Sequence, residues 1–195
     1  MRKLTLTLLT ILFCLTSSVV WSETVKFEDL VERNDLYYKK FTNVPFTGLI
    51  ESYYKNGQLK KSGKIKKGIK KGLWESYYGN GQLKSKGYYK DGERDGLRET
   101  YFENGQLGFK GHYKDGEEDG LWEGYHENGQ LSFKGHYKEG KRDGLWETYR
   151  TNGKITIKGT YKDGEEDGLW EYFNKDGTIN KEETGTYKDG KKVSN

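Results

Sequence analysis

Gly-Leu pairs begin at Gly48, Gly72, Gly96, Gly120, Gly144 and Gly168, always 24 residues apart. Asn-Gly pairs at Asn56, Asn80, Asn104, Asn128 and Asn152, with Asp-Gly at Asp176 in the same phase, keep the same period. Two independent markers on one short period specify a repeat architecture, in which each unit buries its faces only by stacking on its neighbours. One unit, Gly120 to Asp143, reads GLWEGYHENGQLSFKGHYKEGKRD. Its first run alternates, placing Leu121, Glu123 and Tyr125 on one face and Trp122 and His126 on the other. Asn128-Gly129 then reads as a type I′ hairpin turn, which needs φ > 0 at both central residues. The return run sends Leu131, Phe133, Gly135 and Tyr137 to one side and Gln130, Ser132, Lys134, His136 and Lys138 to the other. One face is aromatic and the other wet.

Glycine recurs inside the return strand at Gly63, Gly87, Gly111, Gly135 and Gly159, although it weakens strand interiors. The physical reason expected is an aromatic ring from the neighbouring strand lying flat over bare backbone. The units join through Asp115-Gly116-Glu117-Glu118-Asp119 and its equivalents, whose charges alternate along the chain. That alternation is expected to set Lys141 and Arg142 between acidic turns, serving solubility and register, since exposed pairs contribute only ~0–1 kcal/mol each.

The fold class is therefore all-β: an elongated single antiparallel sheet of tandem 24-residue hairpins, with no helix. Residues 48–190 hold six repeats and 191–195 a polar tail. In the last repeat, Gly185 and Lys188-Asp189-Gly190 come late, which predicts a loop over Thr178 to Glu183. Residues 23–47 read as a lead-in hairpin turning at Asn34-Asp35 that starts and caps the sheet, with Pro45 at an edge position. Residues 1–22 have the layout of a secretory signal peptide: Arg2 and Lys3, an apolar run from Leu4 to Leu15, then small or polar residues. Export to the periplasm, cell surface or medium is the expected localisation, with cleavage near Ser22. Cys14 follows a bulky Phe13, which argues against a lipoprotein signal. From Glu23 onward no cysteine remains, so neither disulfide nor cysteine chemistry is available there.

With 34 basic and 30 acidic residues the net charge is +4, both signs spread along the chain, which is no polycation for nucleic acid. Trp74, Trp122, Trp146 and Trp170 share one position per unit, with Arg98 in the third. They are the candidate binding surface if they form an exposed aromatic ladder; the scarcity of aliphatic residues favours instead their packing as a core, and Arg98 interrupts either arrangement. Glu75, Glu99, Glu123, Glu147 and Glu171 form a carboxylate column, yet identical repeats supply identical environments, whereas acid–base pairs need different ones. Pairing with lysines of adjacent strands is the expectation. His112 and His136 lie on neighbouring hairpins, too far apart to share a metal, and the carboxylate-rich turns at Asp115 and Asp163 lack calcium-loop spacing. No catalytic, cofactor or metal site is expected.

Gly-Leu-Trp-Glu-x-Tyr, Asn-Gly-Gln-Leu and Lys-Gly-x-Tyr-Lys-Asp-Gly at this period resemble the MORN repeat variant, found in bacterial proteins labelled YwqK-type antitoxins. The resemblance covers about Leu30 to Lys192. It implies successive antiparallel hairpins and a non-catalytic scaffold for a protein partner, with anionic membrane attachment or an antitoxin-like role as alternatives. An open sheet edge also allows a homo-oligomer.

Overall fold

In the computed structural model, residues 22–194 are described; the expected leader, with Cys14, lies almost wholly outside them. The strands in chain order are β1 Thr24–Lys26, β2 Leu30–Arg33, β3 Leu36–Lys39, β4 Gly48–Tyr53, β5 Leu59–Lys66, β6 Ile69–Tyr77, β7 Leu83–Lys90, β8 Glu93–Tyr101 and β9 Leu107–Lys114. There follow β10 Glu117–Tyr125, β11 Leu131–Lys138, β12 Lys141–Tyr149, β13 Ile155–Lys162, β14 Glu165–Glu166, β15 Gly168–Tyr172, β16 Gly185–Lys188 and β17 Lys191–Ser194. Fifteen strands form one open sheet: β1, then β4 to β17 in sequence order with β14 a short side branch on β13, and the run from β4 onward is antiparallel throughout. A three-residue 3-10 turn, Phe27–Asp29, is the helical element among the described residues.

The two kinds of turn exchange the roles expected of them. At Asn128-Gly129 only the glycine has positive φ (82°). Gly129 N–H donates to the His126 carbonyl at 2.8 Å and His126 N–H to the Gln130 carbonyl at 2.8 Å, closing a three-residue loop of the type I plus bulge kind. Asn128 is chosen for its side chain: Oδ1 accepts Gln130 N–H at 3.1 Å and Nδ2 donates to the Thr151 carbonyl of the next unit at 2.7 Å. The type I′ turns are the Asp-Gly pairs, as at Asp115 and Gly116 (φ 49° and 89°). The supposed linkers are thus hairpins, and Glu117 and Glu118 already belong to β10.

Gly120 (φ 76°) adds a bulge. Pairing of β10 with β9 breaks between Asp119 and Glu123, while its pairing with β11 runs unbroken from Gly120↔Tyr137 to Trp122↔Gly135. An L-residue with a side chain would be strained at such a φ, which accounts for glycine at the head of the Gly-Leu pairs from Gly72 to Gly168; at Gly48 the reason is space, since a β-carbon would stand 2.3 Å from the Glu23 carbonyl and 2.4 Å from the Phe46 ring.

Both ends differ from sequence expectation. The lead-in hairpin β2–β3 turns at Asn34-Asp35 (φ 49° and 60°) but forms its own two-stranded sheet; the long sheet starts instead with β1, parallel to β4. The first unit carries Ile50 and Ile65 where later units carry tryptophan and tyrosine. These smaller side chains are fully buried because Leu30, Phe46, Phe27 and Tyr37 pack over them. At the other end, Lys191–Ser194 is an edge strand and not a tail, and its lysines discourage further strand addition. The late-coming segment before β16 is a loop, in which Asn180 Oδ1 accepts Glu182 N–H at 3.1 Å.

Candidate binding surface

The inner face carries the tryptophans, and it is closed. Trp74, Trp122, Trp146 and Trp170 are 5, 7, 5 and 2% exposed, so the ladder lies within the core and offers a partner almost no indole surface. Single-sheet proteins have no second layer; here the rings cover one another. Phe133 stacks on Trp146 at 5.4 Å and 7°, Phe109 on Trp122 at 5.7 Å, and Tyr113 and Tyr137 meet Trp122 edge-on at 5.2 and 5.7 Å. Each such pair adds about 0.5–1.5 kcal/mol beyond its area burial. Trp122 and Trp170 Nε1 donate to the His112 and Thr160 carbonyls at 3.2 and 3.1 Å.

The strand glycines make this packing possible. A β-carbon at Gly63, Gly111, Gly135 or Gly159 would stand 2.3, 2.2, 1.9 or 2.1 Å from the ring of Trp74, Trp122, Trp146 or Trp170. Over Gly87 the ring is absent, and a β-carbon there would stand 3.7 Å from Arg98 Cγ. Arg142, expected among acidic turns, belongs to this face: it sits 4.2 Å over the Trp146 ring and donates to the Tyr161 hydroxyl at 3.0 Å.

The outer face is the accessible one. Lys86–Glu99, Lys110–Glu123 and Lys134–Glu147 pair across strands at 2.6, 2.7 and 2.7 Å. Tyr101 and Tyr149 hydroxyls donate to Glu99 and Glu147 at 3.0 and 2.7 Å. Burial raises both carboxyls, but the paired lysine and tyrosine outweigh it and hold both below the usual glutamate value. Repeated sites moving in one direction cannot divide acid and base roles. His112 and His136 are exposed on this face, opposite Leu97 and Leu121, while the His126 ring Nε2 donates to the Tyr149 carbonyl at 2.9 Å as a link between units. Among the described residues no group of three or more His, Cys, Asp or Glu is placed to hold a metal.

Between the charged pairs stands a column that the alternation placed on the wet face without marking it as a surface. Leu49, Leu73, Leu121, Leu145 and Leu169 are 41, 39, 44, 43 and 57% exposed. They alternate with the inward tryptophans and recur every second strand, roughly 9.5 Å apart, except that the half-buried Leu97 stands between Leu73 and Leu121. Their signal was the Gly-Leu pair itself, the most regular marker in the chain.

The family model described as MORN repeat variant matches residues 46–67, 70–91, 94–115, 118–139 and 142–163, more than half of the chain. The hairpin from Gly168 to Lys188 lies beyond the matched residues. A search of curated proteins found no match.

Proposed function

The chain belongs to the MORN repeat variant family, and from that premise we propose that it is an exported, non-catalytic scaffold that docks a protein partner on its leucine-bearing face. Repeats of this kind commonly serve as protein- or membrane-binding modules. The observation that carries the reading is the leucine column: five large apolar side chains at one position of the repeat, each left 39–57% exposed, with Leu97 half-buried among them. Singly exposed leucines need no explanation, but a repeated row does. The flanking Glu–Lys pairs neutralise one another, which supports apolar contact with a polar rim over attraction to an anionic bilayer.

The test is capture from an extract of the source cell with wild-type protein and the L121E/L145E double variant, beside sedimentation with anionic liposomes. One protein retained by wild type and lost by an equally stable variant supports the reading. Capture that survives both substitutions overturns the leucine face as the contact. Retention by liposomes alone, lost on adding salt, replaces the protein partner by a membrane.

A further inference from the structure

The third unit departs from the repeat at three positions, and the departures meet at one cavity. Where its neighbours have Trp74 and Trp122 it has Arg98; where they have Tyr78 and His126 it has Phe102; where they have Lys84 and Ser132 it has Gly108. Arg98, Phe102 and Gly108 line a cavity of about 330 Å³ together with Phe109, Ser85 and Thr100. Over Gly87, where neighbouring units lay an indole, only the aliphatic stem of Arg98 stands, and its guanidinium end reaches the cavity wall. Gly108 keeps the cavity open, since a β-carbon there would touch Thr100 at 3.4 Å and Phe102 at 3.6 Å.

The Arg98 guanidinium is half-buried, 5.8 Å from the Phe109 ring centroid. Among the described residues it has no hydrogen-bonded acceptor and no carboxylate within ion-pair distance. Its nitrogens reach solvent and are not sealed into the sheet, so they stand open to an incoming acceptor where the neighbouring units pack an indole. The surroundings are cationic as well: Lys61 and Lys70 lie 5.0 and 5.3 Å over the Trp74 ring, and Arg94 lies 5.1 Å over Tyr113. Glu118, the carboxylate of that face in the next unit, is engaged by the Tyr113 hydroxyl at 3.0 Å. Burial pushes the Tyr89 hydroxyl up, yet Arg94, Lys70 and Arg98 together hold it below its ordinary value.

We propose that this cavity binds a small organic carboxylate, its oxyanion on the Arg98 guanidinium and its carbon skeleton against Phe102 and Phe109. The planar fork of arginine matches a carboxylate through two parallel hydrogen bonds. Apolar walls select a monoanion with a hydrophobic body over a heavily hydrated dianion such as phosphate. The volume falls at the small end of ligand pockets. The site shares no residue with the leucine column and stands independently of the docking proposed there.

The test titrates benzoate, acetate and inorganic phosphate into the purified chain, following arginine side-chain N–H resonances and heat. Benzoate is expected to bind, shifting the Arg98 signal, with acetate and phosphate each weaker by about tenfold or more. R98W restores the indole over Gly87; it is expected to raise Tm and abolish benzoate binding. Gly108→Ser narrows the cavity while keeping the guanidinium, and is expected to weaken benzoate even where R98W does not fold. Absence of benzoate binding to wild type, binding unchanged in R98W, or phosphate binding as tightly as benzoate would each overturn the proposal.

Discussion

Trp146 covers Gly135 so closely that a β-carbon on Gly135 would stand 1.9 Å from Cε3 of the indole. Alanine in place of an extended-strand glycine ordinarily stabilises through the unfolded chain, by about 0.4–1 kcal/mol. At Gly135 the sign reverses: Gly135→Ala must push the ring away, at about 1–3 kcal/mol, with a red-shifted tryptophan emission. At Gly87, where Arg98 leaves room, Gly87→Ala should raise Tm. Thermal melts of the two variants side by side check the contrast.

The two faces should respond oppositely to truncation. Trp146→Ala removes a buried ring and is expected to cost about 3–5 kcal/mol. Leu145→Ser, on the outer face directly before it, should change stability by no more than about 0.5 kcal/mol. Denaturant titration with equal m-values in both variants decides it.

Asn128 closes its own turn and reaches the next one. Asn128→Ala removes both side-chain hydrogen bonds and should cost about 1–2 kcal/mol. The loss is local, so the Gln130 amide should exchange faster while Trp122 amide protection holds until global unfolding.

Phe41 is fully exposed and left-handed, with φ 65°, in a loop held by Arg33, which donates to Asn43 Oδ1 at 3.1 Å. A bulky side chain in this region is strained, whereas asparagine tolerates it. Phe41→Asn should therefore raise stability by about 1 kcal/mol, read from the denaturation midpoint.

Stability should be flat near neutrality and fall at both extremes because of Glu147 and Lys134. Burial raises the Glu147 carboxyl, but Lys134 and Tyr149 win, so its folded pKa lies below the ordinary 4.5. That contribution is present above 4.5 and is lost as pH falls through the lower folded value. The hydrogen bond to Glu147 raises Lys134 above 10.5, so its contribution is lost only as pH climbs through that raised value. Glu147→Gln should flatten the acid limb of a plot of unfolding free energy against pH.

The hairpin period was legible because turn residues recur in two phases, and the tryptophan–glycine contact because glycine inside a strand demands a reason. The assignment of turn types was not. Asn-Gly and Asp-Gly both tolerate positive φ, and loop length follows from the cross-strand register of Tyr125 with Leu131, which no single pair of residues encodes. The lead-in over Ile50 was equally opaque, since an element occurring once has no period to reveal its packing. Leu121 reads as a core residue by type, whereas its alternation with Trp122 sets it on the face of Glu123, and composition alone did not mark that face as a surface. Arg98 was visible as an interruption, but its cavity depends on Phe102 and Gly108, substitutions that look mild one at a time.

The hydrogen bonds joining successive turns are short-range in the chain: Tyr54 to the Tyr77 carbonyl, Tyr78 to the Tyr101 carbonyl, Gly116 N–H to the Arg94 carbonyl. Every strand from β4 onward is held by its sequence neighbours, with β17 at the free margin. Tension on that margin loads one ladder at a time instead of shearing many together. The molecule should behave under force as a zipper, releasing one 24-residue hairpin per event, about 80 Å of contour each. Its resistance to pulling is that of a single hairpin, however many are stacked behind it.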